Sequence, residues 1–262
     1  MTGAVKITPL EGLVINADYT YNIYSKNASE VQRTFTDYTA VAGTEALYGW
    51  TKPSYANYTT NEDYYYAFNA FAEYSKSFLE NTHNFKIMAG YNQEKKSNKK
   101  YNAKRTNLIV EDIPDLDLAT GEQSMSSEDT YWAINGFFFR FNYNYKQRYL
   151  LEVNGRYDGS SKFGKDNRWG CFPSVALGWR ISQEEFFPKD IALNNLKFRV
   201  SWGRLGNENA LGYYDFLALI STYNEMYQGY VKGNGDNAWA GSIARGLENR
   251  SLKWETTDTK NI

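Results

Sequence analysis

Apolar and polar side chains alternate along most of this chain. Tyr149-Leu150-Leu151-Glu152-Val153-Asn154-Gly155-Arg156-Tyr157 and Phe172-Pro173-Ser174-Val175-Ala176-Leu177-Gly178-Trp179-Arg180-Ile181 each carry one greasy and one wet face. Leu13–Tyr24 sets Leu13, Ile15, Ala17, Tyr19, Tyr21 and Ile23 against Asn16, Asp18, Thr20 and Asn22. Asp63–Ser75, His83–Glu94, Tyr131–Tyr143 and Leu196–Leu205 repeat the pattern, and Leu252-Lys253-Trp254-Glu255 opens one more run. A period of two predicts β-strands. The runs are about 10 to 13 residues long, against about 5–6 for strands of ordinary domains and about 9–11 for a tilted strand crossing hydrocarbon.

The connections are predicted to sort by length. Pro9-Leu10-Glu11-Gly12, Phe78–Asn81, Tyr145–Arg148 and the compact Ser182–Asn194 link fall on one side of an antiparallel meander. Ser25–Glu62, Lys95–Asp129, the middling Gly159–Gly170 and Gly206–Arg250 fall on the other. Membrane β-barrels show this asymmetry, with short turns at one rim and long loops at the other. Aromatics gather near the run ends: Tyr74, Phe78, Tyr145, Tyr149, Phe186 and Phe187 toward the short turns, and Tyr131, Trp132, Tyr157 and Trp169 toward the long loops. Two such belts are expected where a barrel meets its two interfaces.

Composition sharpens the picture. Aromatics are 17% of the chain, with 23 Tyr, yet the mean hydropathy is negative. No run approaches the ~20 apolar residues of a spanning helix, so membrane entry is expected through strands alone. The net charge of -1 gives no reason to expect nucleic acid. Cys171 is the only cysteine and His83 the only histidine. No His/Cys zinc site, cofactor or catalytic triad is therefore expected, and His83, in Glu80-Asn81-Thr82-His83-Asn84, is expected to be a solvated turn residue.

The polar motifs read as structural. Asp158-Gly159-Ser160-Ser161-Lys162-Phe163-Gly164 lacks the spacing of a phosphate loop and the ligand series of an EF-hand, and is expected to be a hairpin loop. Gly233-Asn234-Gly235-Asp236-Asn237 is turn chemistry. Lys95, Lys96, Lys99 and Lys100 are expected at a solvated strand end. Arg140, Arg156, Arg180, Arg199, Glu73 and Glu152 fall on polar faces, which in a barrel must point inward. A hydrolase built on Glu184 and Glu185 is disfavoured, because adjacent side chains diverge, and no enzyme activity is expected. Trp50, Tyr213, Tyr214 and Trp239 lie in the long loops as candidates for stacking on a substrate or gripping a lid.

Asp158–Gly164, Asn167-Arg168-Trp169-Gly170, Phe172-Pro173-Ser174-Val175, Gly178-Trp179-Arg180-Ile181, Leu196–Arg199, Ser201-Trp202-Gly203, Gly206-Asn207 and Leu252–Glu255 resemble the barrel of SusC/RagA-type TonB-linked outer-membrane transporters. The resemblance covers residues 130–262 most fully. It gives Asp158, Gly159, Ser160, Ser161, Phe163, Gly164, Trp169, Pro173, Trp179 and Trp254 as structural residues of the family. It implies an all-β fold, an antiparallel meander forming about 8–9 strands of a barrel of roughly 22 strands with a plugged lumen. It further implies residence in the outer membrane among its lipids, import of oligosaccharides or peptides, a SusD-like surface lipoprotein as lid, and energy from the TonB complex. Residues 1–262 are then expected to be part of a single barrel domain, with signal peptide, plug, TonB box and terminal strands lying outside it. The competing reading is a secreted or surface glycan-binding β-rich module without transport activity.

Overall fold

The computed structural model describes residues 1–34, 38–41, 44–47, 53–188, 193–223, 241–244 and 247–262. Strands dominate it: β1 (Thr2–Leu10), β2 (Leu13–Gln32), β3 (Tyr38–Val41), β4 (Thr44–Leu47), β5 (Tyr55–Phe78), β6 (His83–Thr106), β7 (Gln123–Tyr145), β8 (Tyr149–Ser160), β9 (Trp169–Arg180), β10 (Lys197–Asn207), β11 (Ile220–Tyr223), β12 (Gly241–Ala244) and β13 (Glu255–Asn261). Nine form one sheet in the order β1-β2-β5-β6-β7-β8-β9-β10-β13, while β3–β4 and β11–β12 are separate two-stranded hairpins. The main sheet is an antiparallel meander whose neighbours in space are neighbours in sequence once the small hairpins are set aside.

Contacts divide the chain into two compact units. One holds residues 1–20, 66–95 and 132–262, the other residues 21–65 and 96–131. In the first, register fixes the two faces. Tyr149, Leu151, Val153, Gly155 and Tyr157 of β8 pair with Trp179, Leu177, Val175, Pro173 and Cys171 of β9 and with Tyr145, Tyr143, Phe141, Phe139 and Phe137 of β7. On the other face Glu152 pairs with Asn142 and Ala176, and Asn154 with Arg140 and Ser174, while Arg156 lies between Phe138 and Phe172 and Asp158 between Gly136 and Gly170. The apolar face carries no covering layer, so Phe137, Phe139, Leu177, Phe198 and Ile87 stand exposed.

Two rows of rings cross the apolar face of this unit. Toward the long connections run Tyr19–Tyr66 at 6.4 Å, Phe68–Tyr91 at 6.4 Å, Tyr91–Phe137 at 5.2 Å and Tyr157–Trp169 at 4.8 Å. Toward the short turns lie Phe78–Phe85 at 5.6 Å, Tyr145–Tyr149 at 6.2 Å and Trp179–Phe186 at 6.5 Å. On the polar face, Asn69 donates to Asp18 at 2.9 Å and receives Asn92 at 2.6 Å. Lys86 pairs with Glu73 at 2.7 Å, and Arg156 grips Asp158 through Nε and Nη2 at 3.0 and 2.8 Å. Of the charges anticipated on the inward face, Glu73 pairs with Lys86 and Arg156 with Asp158, while Arg140 donates to Asn154 and Glu152 accepts from Asn154, so their partners are residues outside the anticipated set.

The second unit has a small core of Ala56, Leu108 and Ala119, with Leu116 packed against it. Here the connection 107–122 folds back onto the strands. Ile109 N–H donates to Leu118 O, Arg105 donates to Leu116 O, and the Tyr58 hydroxyl donates to Pro114 O at 2.6 Å.

Several expectations are corrected. β2, β5, β6 and β7 run well past the alternating runs, so the long connections are shorter than expected and Lys95, Lys96, Lys99 and Lys100 sit inside β6. Polar residues continue these strands because cross-strand side-chain bonds can replace apolar packing. His83 opens β6 half-buried: its Nδ1 is 2.7 Å from the Tyr143 hydroxyl and its ring 5.0 Å from Tyr145. Trp132 leaves the aromatic belt, because its register turns it to the polar face. The sorting of connections fails at one place: 161–168 is shorter than 181–196, because it is folded tightly into the joint described below.

Inward packing leaves no room for a side chain at Gly90. A Cβ on Gly90 would lie 2.5 Å from Phe138 Cζ, 2.6 Å from Phe71 Cβ and 2.8 Å from the Ala70 carbonyl oxygen. Gly90→Val should therefore destabilise the sheet by about 1–3 kcal/mol through overpacking, seen as a lower unfolding temperature in detergent of the full-length protein. Unchanged melting would show that Phe71 and Phe138 have room to move.

Candidate functional site

The residues of the Asp158–Gly164 block meet the start and end of the 208–254 connection in one joint. Asp158 and Ser160 end β8 buried. Ser160 N–H donates to Arg168 O, closing the turn, and its hydroxyl accepts from Lys162 N–H at 3.2 Å. Ser161 is stitched to β7: its N–H donates to Ala133 O and its hydroxyl accepts from Ala133 N–H, both at 2.9 Å. Gly159 has the Trp169 indole across it, where a Cβ would sit 2.7 Å from the ring. A side chain there would push the indole off Tyr157.

Phe163 is completely buried, its ring 4.9 Å from that of Trp254. Trp254 in turn meets Phe172 edge-on at 5.1 Å and donates its indole N–H to Arg168 O at 3.0 Å. Asn167 donates to Arg250 O at 2.8 Å, and Gly164 also faces Arg250. At the other end of the connection, Trp132 donates its indole N–H to Glu208 at 2.8 Å, while Lys162 reaches the Glu208 main-chain oxygen at 3.3 Å. The second carboxylate oxygen of Glu208 is buried without a hydrogen-bond partner among the described residues. Lys162 also lies 5.7 Å from the Tyr213 ring, which meets Tyr214 at 63°. The joint therefore holds both feet of the long connection and sets Tyr213 and Tyr214 beside it.

Pro173 and Trp179 lie apart from the joint. Pro173 falls one residue beyond the last β9–β10 pair, Ser174↔Gly203, so its missing N–H costs that ladder nothing. With Gly155, Cys171, Phe137, Phe139 and Tyr157 it lines an apolar notch of about 250 Å³ on the apolar face. Trp179 joins a clasp at the short-turn rim. Its indole N–H donates to Glu184 at 2.9 Å, and Arg148 of the β7–β8 turn donates to the other oxygen at 3.1 Å. Hydrogen bonds from Trp179 and Tyr149, with Arg148 nearby, hold the Glu184 carboxyl below the usual carboxylate range. Glu185, by contrast, has a side chain 91% exposed. Its carboxylate nonetheless meets the same Arg148 guanidinium at 3.5 Å, so both acids face one cation and no open site lies between them. Near this rim the polar face is concave, with a volume of about 910 Å³ bordered by Lys86, Glu152, Lys197 and Arg199.

Trp50 and Trp239 lie outside the described residues, as does Gly233–Asn237. Lys162, Glu208 and Trp132 are the members of the joint that sequence reasoning missed as site residues. The one available signal was Trp132 standing in polar register on an alternating strand. Among the described residues, no cluster of His, Cys, Asp and Glu is placed to hold a metal ion.

A nine-stranded antiparallel meander with long strands, an uncovered apolar face and two rows of rings is a section of a transmembrane outer-membrane β-barrel. The model of the family described as TonB dependent receptor-like, beta-barrel matches residues 8–262, and the chain belongs to that family. It is 42% identical over 125 residues to the TonB-dependent receptor SusC of Bacteroides thetaiotaomicron, covering 48% of this chain and 12% of that protein. It is 30% identical over 186 residues to the TonB-dependent receptor P3 of Formosa agariphila, covering 70% of this chain and 18% of that protein. The solved structure of the RagAB peptide transporter superposes with a TM-score of 0.83 at 22% identity, over 98% of this chain and 26% of that one. The chain thus spans less than a fifth of these two curated relatives.

Two outcomes follow. Phe163→Ala, by emptying a fully buried ring site, should cost about 3–5 kcal/mol and make the 208–254 connection of the full-length protein a proteolysis site. Adding Trp254→Ala should cost much less than its single effect, since the two rings share one contact; additivity would refute the joint. For Glu184, a carboxyl held low contributes stability that is present above its unfolded-state pKa and lost as pH falls through its folded-state pKa. Thermal melts from neutral pH down to about pH 3 should show Glu184→Gln less stable than wild type at neutrality and converging with it in acid. Parallel curves would exclude the clasp.

Proposed function

We propose that residues 1–262 are part of a single TonB-dependent receptor barrel domain in the outer membrane, and that the whole protein imports oligosaccharides or peptides. The observation that carries this reading is the division of the sheet into an uncovered apolar face banded by two rows of rings and an opposite face rich in hydrogen-bonded polar and charged groups. Lipid suits the first and a hydrated lumen the second. The family membership supports the same reading, as does the likeness to SusC, a TonB-dependent receptor, and to RagAB, a peptide transporter.

The partners proposed are a SusD-like surface lipoprotein over the long loops and the TonB complex, acting through parts of the protein outside this segment. The outermost strands β1 and β13 would pair with further strands, since an open edge is not tolerated in lipid. The concave polar face bordered by Lys86, Glu152, Lys197 and Arg199 would receive the plug. The motif joint would hold the long connection, with Tyr213 and Tyr214 offered to substrate or lid. The segment does no catalysis.

Fractionation of cells expressing the full-length protein tests this. It should resist urea extraction, dissolve in detergent and migrate faster unheated than heated. Val153→Arg on the apolar face should cost about 2–4 kcal/mol and reduce the assembled form, whereas Asn154→Lys on the polar face should assemble. Recovery in the soluble periplasmic or culture fraction would replace the importer with the glycan-binding module.

A further inference from the structure

The second unit carries a feature that neither barrel closure nor lipid contact requires. Along one face of β2, β5 and β6 the polar side chains bond to each other in an ordered series. Glu30 accepts from the Tyr55 hydroxyl at 2.7 Å and from the Asn57 amide at 3.4 Å. The Asn102 amide donates to Asn57 at 2.7 Å and to the Thr59 hydroxyl at 2.9 Å. The Asn98 amide donates to Asn61 at 2.8 Å and to Asp63 at 2.7 Å. Lys104 lies 3.7 Å over the Tyr55 ring. All but Glu30 are half-buried.

Side chain to side chain bonds are only about 10–15% of hydrogen bonds in folded proteins, and those on this face, besides supporting the strand extensions, hold their groups in fixed orientations. Here six bonds in two neighbouring groups, four around Asn57 and Asn102 and two around Asn98, fix side chains in place. Because Asn98 and Asn102 each direct both amide hydrogens into the series, the atoms they turn outward are carbonyl oxygens. Tyr24 completes the surface. It lies six residues from Glu30 on β2, so it shares Glu30's face. Counting back from the Glu30 contacts with Tyr55 and Asn57 along antiparallel strands sets it across from the Asn61–Asp63 stretch. The residue is 58% exposed.

We infer that this face binds an oligosaccharide, with sugar hydroxyls donating to the fixed oxygens of Asn98, Asn102 and Asp63 and a sugar ring lying against Tyr24. The inference rests on the proposed importer and selects between its two substrate classes. Fixed amide and carboxylate oxygens beside an exposed ring match a ligand that offers many hydroxyls and one flat C–H face. An extended peptide would instead add to a free sheet edge, but β5 and β6 are interior strands. It would also need apolar pockets for side chains, and the unit's apolar cluster is already filled by its own residues. Lys26, Lys96 and Lys100, interleaved on the same face with Glu30 and Asp63, add donors to the sugar oxygens.

The test uses the full-length protein, first verified as a detergent-extracted, heat-modifiable barrel. Calorimetry is run against glucan, mannan and xylan oligosaccharides of varied linkage and against a mixed oligopeptide library. Binding of at least one oligosaccharide is expected. Tyr24→Ala and Asn98→Ala should each weaken it by about tenfold or more, while Tyr101→Ala, on the opposite face of β6, should leave it unchanged. Binding of peptides alone, of no oligosaccharide, or of an oligosaccharide with equal affinity in all three variants overturns the inference while leaving the importer standing. Failure to recover a membrane barrel overturns the importer itself.

Discussion

The constraint on which this structure depends is that backbone N–H and C=O groups in hydrocarbon must all be paired, and a strand can do so only with the strands beside it. From that follow long strands in register, each bonded to its sequence neighbours, and a sheet in which every side chain points to one of two solvents. The pleat then does the rest. A one-residue slip would exchange the two faces, so register is held where the penalty is greatest. Between β7, β8 and β9 it is continuous from Tyr145↔Tyr149 and Tyr149↔Trp179 to Asn135↔Gly159 and Gly159↔Trp169.

Special residues sit where that regular sheet meets something else. At the short-turn rim, Trp179 and Arg148 converge on Glu184 and tie three elements at one carboxylate. At the other end, Phe163, Trp254 and Phe172 make a dry contact that fastens a connection of more than forty residues. Lys162, Trp132 and Glu208 hold its other foot. Stability and loop placement are thus separated. The ladder secures the sheet, and a small number of aromatic and charged groups secure what the sheet presents.

Much of this was legible in sequence because membrane strands are written in a period of two. Face assignment, the antiparallel meander and the short turn at Lys146–Gln147 followed directly from alternation. Strand length did not, because the extensions of β2, β5, β6 and β7 are built of Asn, Thr, Lys and Tyr. Their stabilising bonds run between strands and leave no periodic trace. His83 was misjudged for a similar reason: its partner, Tyr143, is sixty residues away. The joint was half visible. The Asp158–Gly164 block stood out, but Glu208 and Trp132 are brought to it only by folding.

The most direct measurement is a label scan along β8 of the full-length protein in a bilayer. In a Cys171→Ser background, single cysteines at each position from 149 to 157 would carry a spin label, and its collision rates with oxygen and with a water-soluble nickel chelate would be recorded. A period of two is expected, with positions 149, 151, 153, 155 and 157 favouring oxygen and those between them favouring the chelate. Uniform access to the chelate along the strand, or the opposite phase, would contradict it.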